Sequence, residues 1–353
     1  MVIKSALLGC GRMGAFTSDS VKKFSPKCWL PLSHAESIKN HKNFRLAYAC
    51  DLNKNLLEKV KRKYQISYVY ENYLDMISNN IDFISIATRT PNRAKIIEDA
   101  LNQDINIIHT EKPLCNSVSE LNNLDNQLSD DEKIITYGTV RRHMKIYRKA
   151  RDYIRNGKLG KLISINLNMG FGGLFWMHPH TVDLGLFFAP VGAKPVSVYA
   201  NFLDINRKGN KIYNDPKLLF GYIKFDNDVV VNISAGSSCD VDLICEGGQV
   251  TVSNDGEKII IKRSTLSDPY MKKQKEIKVN YPFPEGTYSI LRLINKSIQN
   301  KNFLEVNLLK KDILLNQRIL FLLIASNLYK RELDINFQLD DINILAQTNG
   351  MPA

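Results

Sequence analysis

The stretch Ile3-Lys4-Ser5-Ala6-Leu7-Leu8-Gly9-Cys10-Gly11-Arg12-Met13-Gly14, answered by Ala47-Tyr48-Ala49-Cys50-Asp51, decides the fold. An apolar run leads into Gly-x-Gly-x-x-Gly, and a second apolar run ends on an acidic residue. This is the order of parts in a βαβ unit that holds a dinucleotide. The glycines permit a tight turn and close approach to a pyrophosphate, a helix N-terminus meets the phosphate charge, and the carboxylate accepts hydrogen bonds from the adenosine ribose. Gly9, Gly11, Arg12, Met13, Gly14 and Asp51 are therefore the expected cofactor contacts, with capping of the next helix as the rival role for Asp51. A carboxylate there repels a 2′-phosphate and no arginine follows it directly, so NAD is expected in preference to NADP. One spacing departs from the pattern. The acidic residue usually follows the glycines by about 20 residues, whereas Asp51 follows Gly14 by 37.

Outward from this pair, the first part of the chain alternates strand-like and helical patterns, which argues for a doubly wound parallel sheet. Strands are predicted at Val2–Leu8, Phe44–Cys50, Tyr68–Tyr70, Ile81–Ala87, Ile105–His109 and Lys133–Tyr137. Helical segments are predicted at Leu56–Tyr64, Tyr73–Ile77, Arg93–Asn102 and Val118–Leu128. After Met144 the pattern changes. One amphipathic helix, Ile146–Asn156, ends at Gly157, and long β-patterned segments follow: Leu162–Met169, Val196–Phe202, Phe220–Ser234, Val241–Val252 and Lys258–Lys262. Turn residues such as Asp226-Asn227 and Gly247-Gly248 separate strands, so this half reads as a mostly antiparallel sheet in an α+β domain. Closing helices are predicted at Tyr288–Gln299 and Leu308–Arg331. The expected division is residues 1–140 and 141–353.

At 353 residues the chain exceeds the size of most single cores, in keeping with two domains. It is 44% hydrophobic and 24% charged, an ordinary globular balance. No apolar run approaches the ~20 residues of a membrane span, and the N-terminus has no secretory-signal pattern. Six cysteines lack C-x-x-C spacing and read as reduced thiols of a cytoplasmic protein. The formal charge of +12 is spread along the whole chain without basic runs interleaved with aromatics, which argues against nucleic-acid binding. Such a field suits anionic cofactors and phosphorylated or nucleotide-linked substrates.

Several segments together resemble the Gfo/Idh/MocA oxidoreductases. They are Leu8 to Gly14, Ile86-Ala87-Thr88-Arg89-Thr90-Pro91-Asn92, Glu111-Lys112-Pro113-Leu114, Arg141-Arg142 with the helix to Gly157-Lys158-Leu159-Gly160, and His180-Thr181-Val182-Asp183-Leu184. The resemblance covers nearly the whole chain. It implies a Rossmann domain followed by an open, mostly antiparallel sheet that often mediates oligomers, here a homodimer or homotetramer. It also implies NAD(P)-linked hydride transfer at a hydroxyl or keto group of a sugar, cyclitol or nucleotide-sugar derivative. Thr88, Thr90, Pro91, Asn92, Glu111 and Lys112 become expected cofactor contacts. The family often has a histidine where Arg93 stands.

Chemistry independently favours Lys112, because oxidation of a carbinol needs its hydroxyl proton removed. A lysine at the carboxyl end of a parallel strand lies where substrates bind in such sheets. Lys112, His180 and His178 are the expected acid/base residues, since imidazole titrates near neutral pH. Substrate contacts are expected from Lys112, Arg142, Trp176, His180 and Asp183, with a structural salt bridge as the rival role for Arg142. Relatives commonly carry an aspartate where Trp176 stands, and an indole accepts no proton. No metal site is expected. Trp176 also keeps open a non-catalytic NAD- and sugar-binding sensor, and a reductase of a non-sugar substrate is a further alternative. Lys, Asn and Ile richness hints at a low-GC bacterium and, by association, at surface-glycan biosynthesis. The long gap before Asp51 is assigned to an insertion, Ala15–Leu32, since relatives run almost directly from the glycines into a helix resembling His34-Ala35-Glu36-Ser37-Ile38. Its aromatics and position suggest a lid or pocket wall, against a surface loop or oligomer contact.

Overall fold

The structure, a computed structural model, describes residues 2–236, 238–265, 268–282 and 284–346. In the N-terminal part, strands β1 (Ile3–Leu8), β2 (Phe44–Cys50), β3 (Tyr68–Tyr70), β4 (Phe83–Ile86), β5 (Ile107–Thr110) and β6 (Ile134–Tyr137) form an all-parallel sheet in the order β3-β2-β1-β4-β5-β6. The helices between them are α1 (Thr17–Val21), α2 (His34–Asn40), α3 (Lys54–Tyr64), α4 (Tyr73–Ile77), α5 (Arg93–Asn102) and α6 (Val118–Gln127). Every residue of β4 and β6 is buried, which explains why these strands read as continuous apolar runs. Local chemistry sets the helix starts. Asn53 caps α3 by accepting from the Leu56 amide at 3.0 Å. Ser117 and Glu120 form a reciprocal capping box on α6.

The crossover from β1 to β2 carries the extra sequence. A π-helical turn, Arg12–Phe16, runs into α1, and a 3-10 turn, Lys27–Trp29, precedes α2. Ser18 and Ser33 close the neck of the insertion. Ser18 Oγ accepts from the Leu32 and Ser33 amides at 2.9 and 2.8 Å, while Ser33 Oγ accepts from the Ser18 amide at 2.8 Å.

The chain continues with α7 (Lys145–Arg155), β7 (Leu162–Asn168), α8 (Leu174–Phe188) and β8 (Pro195–Phe202). Then follow β9 (Arg207–Lys208), β10 (Lys211–Ile212), β11 (Leu218–Phe225), β12 (Val230–Ser234), β13 (Asp240–Cys245), β14 (Gly248–Ser253), β15 (Lys258–Thr265) and β16 (Asp268–Ile277). Helices α9 (Gly286–Asn300) and α10 (Leu304–Tyr329) and strands β17 (Leu333–Asp334) and β18 (Asn343–Ile344) complete it. The nine-stranded sheet has the order β16-β15-β14-β13-β7-β12-β11-β8-β17, antiparallel except where β7 meets β12. Its residues alternate. Ile165, Leu167, Val231, Ile233, Val241 and Leu243 point into the core, and a polar ladder lines the other face, with Asn232 Nδ2 donating to Asn166 Oδ1 at 2.9 Å. The predicted segments Phe220–Ser234 and Val241–Val252 each resolve into two strands at the expected turns. Helix α8 and strand β16 had no counterpart in the sequence reading.

The described residues group into two units, 2–140 with 284–314, and 141–282 with 315–346. The expected single domain 141–353 is thus divided, and α9 with the start of α10 belongs to the first unit. The cause is the packing of α9, whose buried face includes Ile290, Leu291, Leu293 and Ile294. Asn43 Nδ2 on the Rossmann side donates to Asn295 Oδ1 at 2.9 Å, and the Tyr288 and His41 rings lie 5.1 Å apart. The start of α9 also holds the insertion. The Glu285 and Thr287 amides donate to the Leu30 and Pro31 carbonyls at 2.9 and 3.1 Å, and Thr287 Oγ1 donates to the Leu32 carbonyl at 2.8 Å. Gly286, at φ +52°, leaves no room for a side chain, since a Cβ there would lie 2.3 Å from the Trp29 carbonyl oxygen. Gly286→Ala is expected to lower the melting temperature, with a loss of roughly 2 kcal/mol or more because both backbone strain and overlap oppose it. Its hydrogen exchange should rise first at residues 27–33, and exchange unchanged from wild type would show that α9 does not hold the insertion.

Candidate active site

The glycine turn lies at the carboxyl end of β1, at the switch point between β1 and β4 where open α/β sheets bind ligands. Gly9 has φ +91°, and a Cβ on it would come within 2.8–2.9 Å of the Ala87 and Thr88 backbone. On Gly14 a Cβ would lie 1.9 Å from the Gly9 carbonyl oxygen. At Gly11 nothing lies within 4 Å of that position. Gly9 and Gly14 therefore make the turn, and Gly11 leaves open space for a ligand's backbone-close approach. Asp51 laces this turn to the end of β2: its Oδ2 accepts the Cys10 amide at 2.7 Å and its Oδ1 the Asn53 amide at 2.8 Å. Each carboxylate oxygen keeps a lone pair after these bonds, so ribose hydroxyls remain acceptable partners. The cap of α3 is Asn53, not Asp51.

The loop after β4 lies against the turn, and the loop after β5 follows next along the same edge of the sheet. Thr88 has a buried hydroxyl with no hydrogen-bond partner among the described residues, and Thr90 is buried. Asn92 takes a left-handed backbone, φ +67°, before α5 opens at Arg93. Lys112 is half-buried after β5. Glu111, expected beside the cofactor, turns into the unit instead, and its carboxylate meets His34 Nε2 at 3.2 Å. Burial opposes its ionisation, but the His34 contact and the Lys112 charge hold its carboxyl down at about 2. A buried anion needs such partners, and the protein interior provides them where solvent would not. His109 lies beside His34, ring centroids 4.8 Å apart, and burial together with the His34 charge lowers its pKa to about 3. Ligand-type atoms of His34, His109 and Glu111 fall within 4.8 Å of one another. A divalent cation there would meet the charges of Lys112 and Arg93, both of which act on or feel Glu111.

In the second unit α8 carries the histidines. Asp215 caps it, accepting the Phe175 amide at 2.9 Å and the Trp176 amide at 3.0 Å. Trp176 is 38% exposed and His180 half-buried. His178, expected as an acid/base residue, is wholly buried with Nδ1 3.1 Å from Thr181 Oγ1, and burial lowers its pKa to about 4. Its burial disfavours the charged imidazolium. Asp183 and Arg142, expected at the substrate, are spent on each other. Arg142 Nε donates to Asp183 Oδ2 at 2.9 Å and Nη2 to the Asp183 carbonyl at 3.1 Å, both side chains buried. Breaking such a buried pair strands a charge.

The residues that sequence reasoning missed are His34 and Arg93. Each opens a helix, each is buried, and each reaches the loop that carries Lys112.

A doubly wound sheet with this glycine turn at its switch point and a carboxylate closing β2 defines a dinucleotide-binding Rossmann protein, and the open space at Gly11 with the Thr88 hydroxyl fits that ligand. Residues 3–139 match the oxidoreductase family with NAD-binding Rossmann fold, GFO_IDH_MocA. Residues 3–139 are accordingly similar to the NAD-binding Rossmann part of the Gfo/Idh/MocA oxidoreductases. A myo-inositol 2-dehydrogenase from Lactobacillus plantarum is similar over 95% of this chain and 100% of its own, at 19% identity and a TM-score of 0.65. A scyllo-inositol dehydrogenase from Lactobacillus casei, solved with NAD(H) and scyllo-inositol, covers 95% and 99% at 18% identity and 0.69. A 3-ketoreductase from Actinomadura kijaniata, solved with TDP-benzene and NADP, covers 92% and 98% at 10% identity and 0.68. Among curated proteins none matches the sequence. No helix of the described residues is long and apolar enough to cross a membrane.

The glycine geometry separates folding from binding. Gly14→Ala is expected to lose the folded Rossmann unit's cooperativity in calorimetry. Gly11→Ala should melt like wild type yet bind NAD at least about tenfold more weakly, because a methyl occupies space meant for the pyrophosphate. Unaltered NAD binding by Gly11→Ala in titration calorimetry would place the phosphates elsewhere.

Proposed function

We propose that the protein is an NAD-dependent dehydrogenase or reductase acting on a hydroxyl or keto group of a sugar, cyclitol or nucleotide-sugar derivative, with Lys112 as the acid/base group. The observation that carries this reading is the position of Lys112, half-buried just after β5, at the carboxyl edge of the parallel sheet where the glycine turn also lies and where such sheets bind their ligands. The substrates named for the similar dehydrogenases and the ketoreductase support the substrate class. When bound, the nicotinamide ring takes up or gives back a hydride. In oxidation the Lys112 amine accepts the hydroxyl proton, and in reduction it returns one to the carbonyl oxygen. Gly9, Gly11, Arg12, Met13, Gly14, Asp51, Thr88, Thr90, Pro91 and Asn92 serve the cofactor, Asp51 favouring NAD. His180 is the imidazole of the second unit suited to proton transfer, and the indole of Trp176 offers an apolar surface to the C–H face of a sugar ring.

The thiols suit a reducing cytoplasm and have no redox role in this reading. Burial pushes Cys50 up to about 12 and Cys245 up to about 11, so neither forms a reactive thiolate. Association into a homodimer or homotetramer through the polar-laddered face of the nine-stranded sheet belongs to the same reading. Light scattering should return twice or four times the 40.2 kDa chain mass, and a monomer would end that part of it.

A screen of free sugars, cyclitols and nucleotide sugars for NAD reduction tests the activity. For the substrate found, Lys112→Ala should lower kcat by about 10²–10⁴ while NAD affinity stays as in wild type. The exposed Trp176, standing where an acid is expected, favours one second reading, a sensor. Sugar and NAD binding without turnover on any compound would support that reading and sink the first. Turnover of a non-sugar substrate that survives Lys112→Ala would assign a different reductase chemistry.

A further inference from the structure

The residues before and after Lys112 are each tied by a buried basic side chain that opens a different helix. Upstream, the Glu111 carboxylate meets Nε2 of His34, the first residue of α2, at 3.2 Å. The other His34 nitrogen is fixed at 2.8 Å from Ser85 Oγ on β4. Glu111 also packs against Gly138, where a Cβ would sit 2.5 Å from its Oε1. Downstream, Arg93 opens α5. Its Nη1 donates to the Pro113 carbonyl and its Nη2 to the Thr88 carbonyl.

Arg93 is an expensive way to fill space. Burial pulls its guanidinium down to about 10 against the Glu111 charge, the first of the groups that oppose it, and its hydrogen-bond partners are neutral carbonyls. An apolar residue of similar volume would avoid the desolvation cost of several kcal/mol. What a guanidinium supplies and an apolar chain cannot is a rigid fork whose donors span two acceptors at a set separation. Here the acceptors are the loop behind Lys112 and the loop that carries Thr88. The Glu111 anion is the matching upstream anchor.

We propose that His34 and Arg93 are positioning residues for Lys112, a two-sided clamp that holds Glu111 and Pro113 on either side of it and ties its loop to the Thr88 loop. This rests on the assignment of Lys112 as the acid/base group, and it adds two residues that touch neither substrate nor reacting atoms. A misplacement near 1 Å costs on the order of 10² in rate, so releasing either side should be visible in turnover before it is visible in folding.

The experiment compares Arg93→Met, Arg93→Lys, His34→Leu and His34→Gln in the full chain with NAD. Arg93→Met and His34→Leu should lower kcat by about 10²-fold with KM for NAD little changed. His34→Gln keeps a donor toward Glu111 and should restore most of the loss. Arg93→Lys keeps the charge but cannot bridge both carbonyls, so it should stay impaired. In a Lys112→Ala background none of these changes should reduce kcat further. A second readout needs no substrate: the acetylation rate of the Lys112 amine by acetic anhydride, followed by mass spectrometry against the other lysines. Arg93→Met and His34→Leu should change it selectively. If Arg93→Met or His34→Leu does not fold, Arg93→Lys carries the labelling comparison. An unchanged Lys112 rate in folded variants overturns the clamp, as does a further kcat loss without Lys112. If Lys112→Ala keeps full turnover, the catalytic assignment fails, and a selective change in labelling still upholds the clamp.

Discussion

The structure turns on the approach of two glycines. The Gly9 carbonyl oxygen occupies the place where a Gly14 side chain would begin, 1.9 Å from the ideal Cβ. The chain therefore leaves β1, reverses over the end of β4 and enters a helical turn within a few residues. No extra sequence fits inside such a turn, so the insertion follows it and splits the crossover helix into Arg12–Phe16, α1 and α2. The split costs the phosphate site little, because helix-terminus electrostatics fall off within the first turn. What it does change is the start of α2. His34, which meets Glu111, follows directly on Ser33, which with Ser18 closes the neck of the insertion.

The parts of the site that were legible in the sequence are those whose chemistry is local. Glycines six or fewer residues apart, an acid at a strand end and Glu-Lys-Pro after a strand each state their purpose within a short window. The partners of Glu111 and Pro113 do not. His34 lies 77 residues from Glu111 and Arg93 20 residues from Pro113. In sequence, Arg93 is an ordinary polar start to an amphipathic helix.

In the second unit, alternation announced the strands, since one face is buried and the other polar. Helix α8 escaped notice because both its sides are covered. Gly185 lies against Val231 of β12, and the Phe175 ring lies 5.6 Å from Phe321 of α10. A helix packed on two sides shows no apolar stripe, and Pro179 within it reads as a break. Its polar residues then look like a cluster awaiting a ligand. Inside the unit His178 Nδ1 meets Thr181 Oγ1 and Asp183 pairs with Arg142. Helix α9 escaped differently, for its pattern was clear but its destination was not. Amphipathicity predicts that a face will be buried, not which unit will bury it.

Trp176 is coherent once Asp215 is seen. The loop between β10 and β11 delivers the Asp215 carboxylate to the first turn of α8, where it accepts the Phe175 and Trp176 amides. Gly173 must be a glycine for this, because a Cβ there would lie 2.2 Å from Asp215 Oδ2. An aspartate at 176 would add a second carboxylate to the same helix turn, and like charges at that range disfavour ionisation of both. The chain takes its carboxylate from Asp215, where the helix terminus stabilises it and both oxygens are occupied by amides. Position 176 is then open to a large apolar ring. A cap that holds two amides has little capacity left as a base.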